Sequence, residues 1–287
     1  MDERIVEAGG ARILHREIGE GPPILMLHGF PQTGHCWRGV GERLAPRFRV
    51  LMPDVPGFGR SDAPPEHDAG VVAEMLFDYL DVLGVAETIV LGHDWGGAFS
   101  FRMALDRPDR VRRLVVTNTA FRELSPLHSW YIWLFNLPLL PELAFRIGGD
   151  KIIEGFYKGA TPKAHRNLFE GGPLRIYQDA YSDPERIRSM LAYYRTVTRK
   201  AVKKQASLRL GRRFVSAEVV SGGRSRRIEM PTLIVWGLRD PALPPKLLRG
   251  LKRDIPQAEI VELLDCGHFV PEEAPDTLAA AIDRFVS

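Results

Sequence analysis

The run Thr88-Ile89-Val90-Leu91 leads into Gly92-His93-Asp94-Trp95-Gly96-Gly97 and then into a helix-compatible stretch from Ala98. A buried strand that turns directly into a helix needs small residues on both sides of the turn. A Cβ there would meet backbone doubling back on itself. Gly92 and Gly96 occupy those positions and leave Asp94 at the apex, where a G-x-Nuc-x-G turn holds up a reactive side chain. A serine there attacks a carbonyl carbon. A carboxylate can displace a leaving group from sp³ carbon, and water can cleave the resulting ester. Taken alone, the stretch reads equally well as a glycine-bounded turn with an Asx cap.

The rest of the chain supplies a frame for that turn. Ile5–Ala8 and Arg12–Ile18, separated by Gly9-Gly10, read as an antiparallel lead-in. Ile24–Leu27 is continuously apolar, as expected of a strand buried on both faces, and ends in His28-Gly29-Phe30-Pro31. That segment is a loop, because a residue before proline avoids the helical region. Trp37 to Leu44 reads as a helix, and Arg49–Pro53 as the next strand. Val72, Met75, Leu76, Tyr79, Leu80 and Leu83 line one helical face, stopped by Gly84. After the turn come a helix over Ala98–Asp106 and a strand over Val111–Thr117. Strand alternating with helix predicts a mostly parallel, doubly wound sheet.

That alternation stops near Phe121 and resumes with Thr232–Gly237, a helix over Pro244–Ile255, a strand over Ile260–Leu264 and a helix over Ala274–Phe285. The intervening residues are helical in pattern, aromatic-rich and punctuated by Pro and Gly. The expected division is therefore a core of residues 1–120 and 230–287 with a helical cap of residues 121–229 inserted over the strand ends. Leu208 to Arg227 is the least patterned part, with Ser221-Gly222-Gly223 as a joint.

Composition narrows the functional class. Apolar content of 45% and charged content of 26% suit a globular enzyme. No secretory signal is readable, and the apolar window Trp130–Phe145 is broken by Pro138 and Pro141 and too short to span a bilayer. The two cysteines, Cys36 and Cys266, form no disulfide framework and have no metal-ligand spacing. The expectation is a cytoplasmic protein without metal or cofactor; a homodimer is one form open to it. Arg195 to Arg227 holds eleven Lys or Arg against one acid, Glu218. Such a run could meet nucleic acid or an acidic surface, but a solvated helix face and linker account for it, and no nucleic-acid partner is expected.

Ligands of open α/β sheets sit beyond the carboxyl ends of the strands. Four groups fall there: the His28–Pro31 loop, Asp94, Asp240 just after Thr232–Gly237, and His268 just after Ile260–Leu264. The chemistry assigns each a role. Asp94 attacks as a carboxylate; His268 takes a proton from water; Asp240 fixes the imidazole tautomer and stabilises its cation. Cleavage of the ester on Asp94 creates an oxyanion that needs two backbone donors. The Phe30 and Trp95 N–H groups are the candidates, since Pro31 has no N–H to give.

The order nucleophile, acid, histidine resembles that of the α/β-hydrolase fold, and residues 3–286 resemble its epoxide hydrolase branch. His28-Gly29-Phe30-Pro31 resembles that branch's H-G-x-P oxyanion loop, and Gly92-His93-Asp94-Trp95-Gly96-Gly97 its Asp elbow; Asp240 and Gly267-His268-Phe269 match its acid and base positions. The resemblance implies two cap tyrosines that donate hydrogen bonds to the epoxide oxygen, which an alkoxide leaving group requires. Tyr131, in Tyr131-Ile132-Trp133-Leu134-Phe135-Asn136-Leu137-Pro138, resembles the first. In Tyr193-Tyr194-Arg195 the spacing before Arg195 favours Tyr194 over Tyr193 as the second. The return from Tyr194 to Met230-Pro231 is longer than is usual in that branch.

The implied activity is hydrolysis of a hydrophobic epoxide to a vicinal diol, with water as co-substrate and an alkyl ester on Asp94. Haloalkane dehalogenases share the Asp-Trp pair, in which the Trp ring N–H can hold halide. They usually carry Asn where this chain has Phe30. Fluoroacetate dehalogenases usually place Arg after the nucleophile and His at the first cap position, where this chain has Trp95 and Tyr131. A non-catalytic binding scaffold on the same fold would have no use for these five groups.

Overall fold

Strand β5 (Thr88–His93) lies near the middle of an eight-stranded sheet and is buried along its whole length, which requires cover on both faces. In the computed structural model, residues 1–121, 131–208 and 227–287 are described. Trp130, the Ser221-Gly222-Gly223 joint and most of the Leu208–Arg227 stretch lie outside them. Around β5 stand β1 (Asp2–Ala8), β2 (Ala11–Ile18), β3 (Pro23–Leu27), β4 (Arg49–Leu51), β6 (Val111–Thr117), β7 (Thr232–Gly237) and β8 (Glu259–Leu263). Their spatial order is β1-β2-β4-β3-β5-β6-β7-β8. The β1–β2 hairpin and the β2–β4 pair are antiparallel, and every later pair is parallel. The fold is the expected α/β-hydrolase architecture.

The register aligns the strand ends. Leu27 pairs with Gly92, His93 with Thr117, Thr117 with Val235 and Gly237 with Leu263. Whatever follows β3, β5, β6, β7 and β8 therefore emerges along one edge. Helices α1 (Arg38–Leu44), α2 (Ala69–Val82), α3 (Trp95–Asp106), α8 (Pro245–Asp254), α9 (Val270–Glu273) and α10 (Pro275–Val286) belong to this part of the chain. Helix α2 packs on α3, and α1 packs on α10.

Between β6 and β7 the described residues form helices and no strand: α4 (Tyr131–Phe135), α5 (Leu140–Ala160), α6 (Gly172–Ala180) and α7 (Pro184–Leu208), with a short 3-10 turn at Lys163–Phe169. Tyrosines tie these helices to the sheet loops. The Tyr177 hydroxyl donates to Glu272 at 2.7 Å and the Tyr193 hydroxyl to the Pro56 carbonyl at 2.6 Å. The backbone N–H of His268 donates to the carbonyl of Ala160, at the end of α5, at 3.0 Å. The start of the basic run is also structural. Arg195 holds Glu142 at 2.7 Å and the Phe135 carbonyl at 2.9 Å, and Lys200 pairs with Asp68. Among the described residues no helix is long and apolar enough to cross a membrane.

Three of the boundaries that differ from the sequence expectation have a local cause. Helix α3 begins at Trp95 rather than Ala98, because Gly96-Gly97, poor helix formers in isolation, are fixed by close packing. The helix expected over Trp37–Leu44 begins as a 3-10 turn over Gly34–Trp37, capped by Thr33. The last helix, expected over Ala274–Phe285, runs over Pro275–Val286 with Pro275 in its first turn, and the short turn α9 precedes it.

Candidate active site

Asp94 sits between β5 and α3 with φ 51° and ψ −119°, a conformation that costs a non-glycine residue about 1–3 kcal/mol. The turn is held from several sides. The Asp94 carbonyl accepts from the Thr119 hydroxyl at 2.7 Å and from the Ala98 N–H at 3.2 Å. The glycines flanking it are required by contact. A Cβ on Gly96 would lie 2.0 Å from the Leu27 carbonyl oxygen, and one on Gly92 would lie 2.4 Å from the Gly96 carbonyl oxygen.

The loop after β3 approaches from the other side. Phe30 N–H donates to Asp94 Oδ2 at 3.0 Å, and the Trp95 backbone N–H also bonds the carboxylate. Both expected backbone donors thus converge on one carboxyl group. Gly29 makes the approach feasible, because its Cβ would fall 2.4 Å from Asp94 Oδ2. His28 is buried beneath the loop, its Nδ1 against the Gly29 carbonyl at 3.0 Å and its Nε2 accepting from Val55 N–H at 2.9 Å. Burial lowers its pKa to about 4, so the ring is a neutral strut. The Phe30–Pro31 peptide is cis.

Asp240 and His268 join at the same edge, with His268 Nδ1 at 2.7 Å from Asp240 Oδ2. The other Asp240 oxygen accepts from Ala242 N–H at 2.8 Å and Leu243 N–H at 2.9 Å, which fixes the carboxylate plane. Asn118, which the sequence reading passed over, completes the arrangement. Its amide donates to Asp240 Oδ2 at 2.8 Å, while its carbonyl oxygen accepts from Gly237 N–H at 2.8 Å. Its position directly after β6, one residue past Thr117, is the same signal that singled out the other strand-end groups.

The charges are coupled. Burial raises the Asp94 pKa to about 6, opposed by the nearby His268 and by the two backbone donors. Burial also works against a cation on His268, but the charge and hydrogen bond of Asp240, then the charge of Asp94, outweigh it and raise the pKa to about 9. Near neutrality the resting pair is therefore a carboxylate facing an imidazolium. Neutralising Asp94 would remove one of the charges that hold the proton on His268.

Tyr131 and Tyr194, the tyrosines expected from the sequence, lie together beside Trp95 and Phe30. Tyr194 and Tyr131 pack edge-on with ring centroids 6.0 Å apart, and Tyr194 also lies edge-on to Trp95 at 5.2 Å and to Phe30 at 6.2 Å. Burial, then the nearness of Tyr131 and Asp94, raises the Tyr194 pKa well above 10, so it holds its proton; a hydrogen-bonding contact from the Trp95 side chain opposes this. The Tyr193 ring also packs on Trp95, at 5.4 Å, but its polar end is engaged elsewhere. Its ring stacks on Phe58 at 5.0 Å, and its hydroxyl is committed to Pro56. Tyr181, also unread in the sequence, packs edge-on to Phe30 at 5.4 Å. Beside Tyr131 opens an apolar cavity of about 860 Å³ lined by Leu134, Phe135, Phe145, Phe156 and Ala242 among others. It includes much of the apolar window that suggested a hydrophobic ligand.

Comparison with known proteins agrees with this architecture. Haloalkane dehalogenase 2 of Mycobacterium tuberculosis is 29% identical over 99% of this chain and 95% of its own. A cis-3-alkyl-4-alkyloxetan-2-one decarboxylase of Xanthomonas campestris is 31% identical over 93% of this chain and 89% of its own. The crystal structure of epoxide hydrolase VrEH1 from Vigna radiata superposes with a TM-score of 0.80 at 21% identity, over 99% of this chain and 97% of that one, a likeness of fold. The sequence pattern of the alpha/beta hydrolase fold matches residues 22–275, and the chain belongs to that family.

Proposed function

We propose that the protein is an epoxide hydrolase that forms an alkyl ester on Asp94 and releases a vicinal diol. The observation that carries this reading is the pairing of a carboxylate at the elbow with a protonated phenol, Tyr194, packed beside Trp95 and Tyr131. A carboxylate nucleophile suits attack at sp³ carbon, and a neighbouring proton donor suits a leaving group that would otherwise depart as an alkoxide.

In the first step, the Asp94 oxygen not held by Phe30 attacks a ring carbon. The C–O bond opens as Tyr131 and Tyr194 neutralise the charge growing on the epoxide oxygen. In the second, His268, which releases its Nε2 proton to solvent once Asp94 is esterified, takes a proton from water at that nitrogen, because Nδ1 is committed to Asp240. The hydroxide attacks the ester carbon, and the oxyanion forms at Oδ2, which the Phe30 N–H already holds, with the Trp95 N–H as the second donor to the same carboxyl group. The acyl C–O bond then breaks, His268 returns its proton to the departing oxygen, and the diol leaves with the original epoxide oxygen and one Asp94 oxygen. Esterification assists the second step, since a neutral Asp94 no longer holds the proton on His268. The helices between β6 and β7 act as a cap that supplies the tyrosines and the apolar cavity, so the substrate is hydrophobic.

A second reading, dehalogenation of a haloalkane, is favoured by the Mycobacterium tuberculosis relative and by the Trp95 indole beside Asp94. Phe30 brings no side-chain donor to partner that indole. The Xanthomonas campestris relative adds a strained dialkyl oxetanone to the substrates worth testing. Parallel assays with an aryl epoxide, a primary haloalkane and a cis-3,4-dialkyloxetan-2-one separate these readings. Diol from the epoxide is the expected result; turnover of the haloalkane or the oxetanone without the epoxide would overturn it.

A further inference from the structure

Beneath the His268 loop, three donor side chains from distant parts of the chain meet. His165 comes from the 3-10 turn at Lys163–Phe169, Cys266 precedes the catalytic histidine by two residues, and Glu273 closes α9. Their ligand atoms lie within 4.8 Å of one another, and His165 Nδ1 is 2.9 Å from Glu273 Oε2. The Glu273 side chain is fully buried, Cys266 is buried, and the His165 side chain is 26% exposed, which gives an ion a way in from solvent. Sulfur, imidazole nitrogen and carboxylate oxygen together make a donor set for a borderline divalent ion such as Zn²⁺; Ca²⁺ and Mg²⁺ call for oxygen alone.

We propose that His165, Cys266 and Glu273 form a Zn²⁺-binding site, completed by water, that clamps the helical segment to the loop carrying His268. The ion takes the place of the proton between His165 Nδ1 and Glu273 Oε2, and that proton moves to Nε2, so the imidazole stays neutral. The Cys266 thiol loses its proton to solvent as the metal–sulfur bond forms, so one Zn²⁺ enters for one proton released. No oxidant or reductant is needed. The consequence for His268 follows from Glu273, whose carboxylate accepts from Gly267 N–H at 2.8 Å and from Phe269 N–H at 3.0 Å. These peptide groups flank His268 on both sides, so an ion drawing on Glu273 competes for the lone pairs that hold the base in place. Bound Zn²⁺ therefore inhibits turnover.

The test is a titration of the chelator-treated full chain with Zn²⁺ by calorimetry, and with Co²⁺ as an absorbing probe of thiolate ligation. The expected result is saturable binding of one equivalent and a sulfur-to-cobalt charge-transfer band. His165→Ala and Cys266→Ser should each weaken Zn²⁺ binding by roughly tenfold to a hundredfold. His165 is partly exposed, so His165→Ala keeps the test interpretable if the buried Cys266→Ser variant fails to fold. Absence of saturable binding, binding unchanged in His165→Ala, or Co²⁺ binding without the thiolate band would each overturn the proposal. None of these readouts depends on which substrate the enzyme turns over.

Discussion

The strand-end groups and the aromatic groups above them are held in place by different means. Asp94, Asp240 and His268 are each fixed by backbone: a strained turn, paired N–H donors, and a backbone hydrogen bond to Ala160. Tyr131 and Tyr194 rest instead in a web of ring contacts with Phe30, Trp95, Phe135 and Phe156. Backbone fixation confines a group to one geometry, while ring packing sets only a neighbourhood. The lower tier is thus suited to a single chemistry, and the upper tier to choosing what undergoes it. Replacing one tier at a time separates the two.

The largest effects should come from the lower tier. Asp94→Ala should reduce turnover by about 10⁴-fold or more, with the fold intact by circular dichroism. His268→Gln should reduce steady-state turnover to a similar extent but still allow the first step. Mass spectrometry of its Asp94-containing peptide should then show the trapped alkyl ester, and an unmodified peptide would reverse the assigned order of events. Tyr194→Phe and Tyr131→Phe should each reduce kcat by about 10²-fold on an epoxide. Neither should matter for a substrate with a good leaving group, such as an alkyl bromide, if one is accepted at all. Equal losses on both kinds of substrate would merge the tiers.

The pH profile gives a smaller and graded effect. In the proposed mechanism Asp94 attacks only when ionised, and its raised pKa of about 6 places the loss of that form on the acid side. The rate of ester formation should therefore be flat above pH 6 and fall about tenfold per unit below it. In His268→Gln the cation that holds this pKa down is gone, so the midpoint should move upward. Tyr193→Phe should do least. It removes the bond to Pro56, costing about 1–2 kcal/mol of stability in a denaturant titration while leaving turnover within about twofold of the parent.

The same contrast explains what was legible in the sequence. Gly92 and Gly96, the strand alternation and the order Asp94, Asp240, His268 are short-range signals, and they placed the sheet edge and its polar groups in one reading. Asn118 carried the same strand-end signal and was passed over because an amide has no titratable role of its own. In the upper tier, Tyr193 and Tyr194 are adjacent in sequence and both touch Trp95, and what separates them is Pro56 and Phe58 on one side and Phe135 and Tyr131 on the other. Those partners are too distant along the chain for any periodicity to reveal. The meeting of His165 with Cys266 and Glu273 was invisible for the same reason, because linear spacing says nothing of residues brought together across the fold.

The central claim is that Asp94 forms a covalent bond to substrate. A single turnover with enzyme in excess, run in ¹⁸O-water with an aryl epoxide, tests it directly. The account predicts that the heavy oxygen appears in the Asp94 carboxylate and that the diol from this first turnover carries none. Label in the diol with Asp94 unlabelled would mean that water attacks the epoxide itself, and would contradict it.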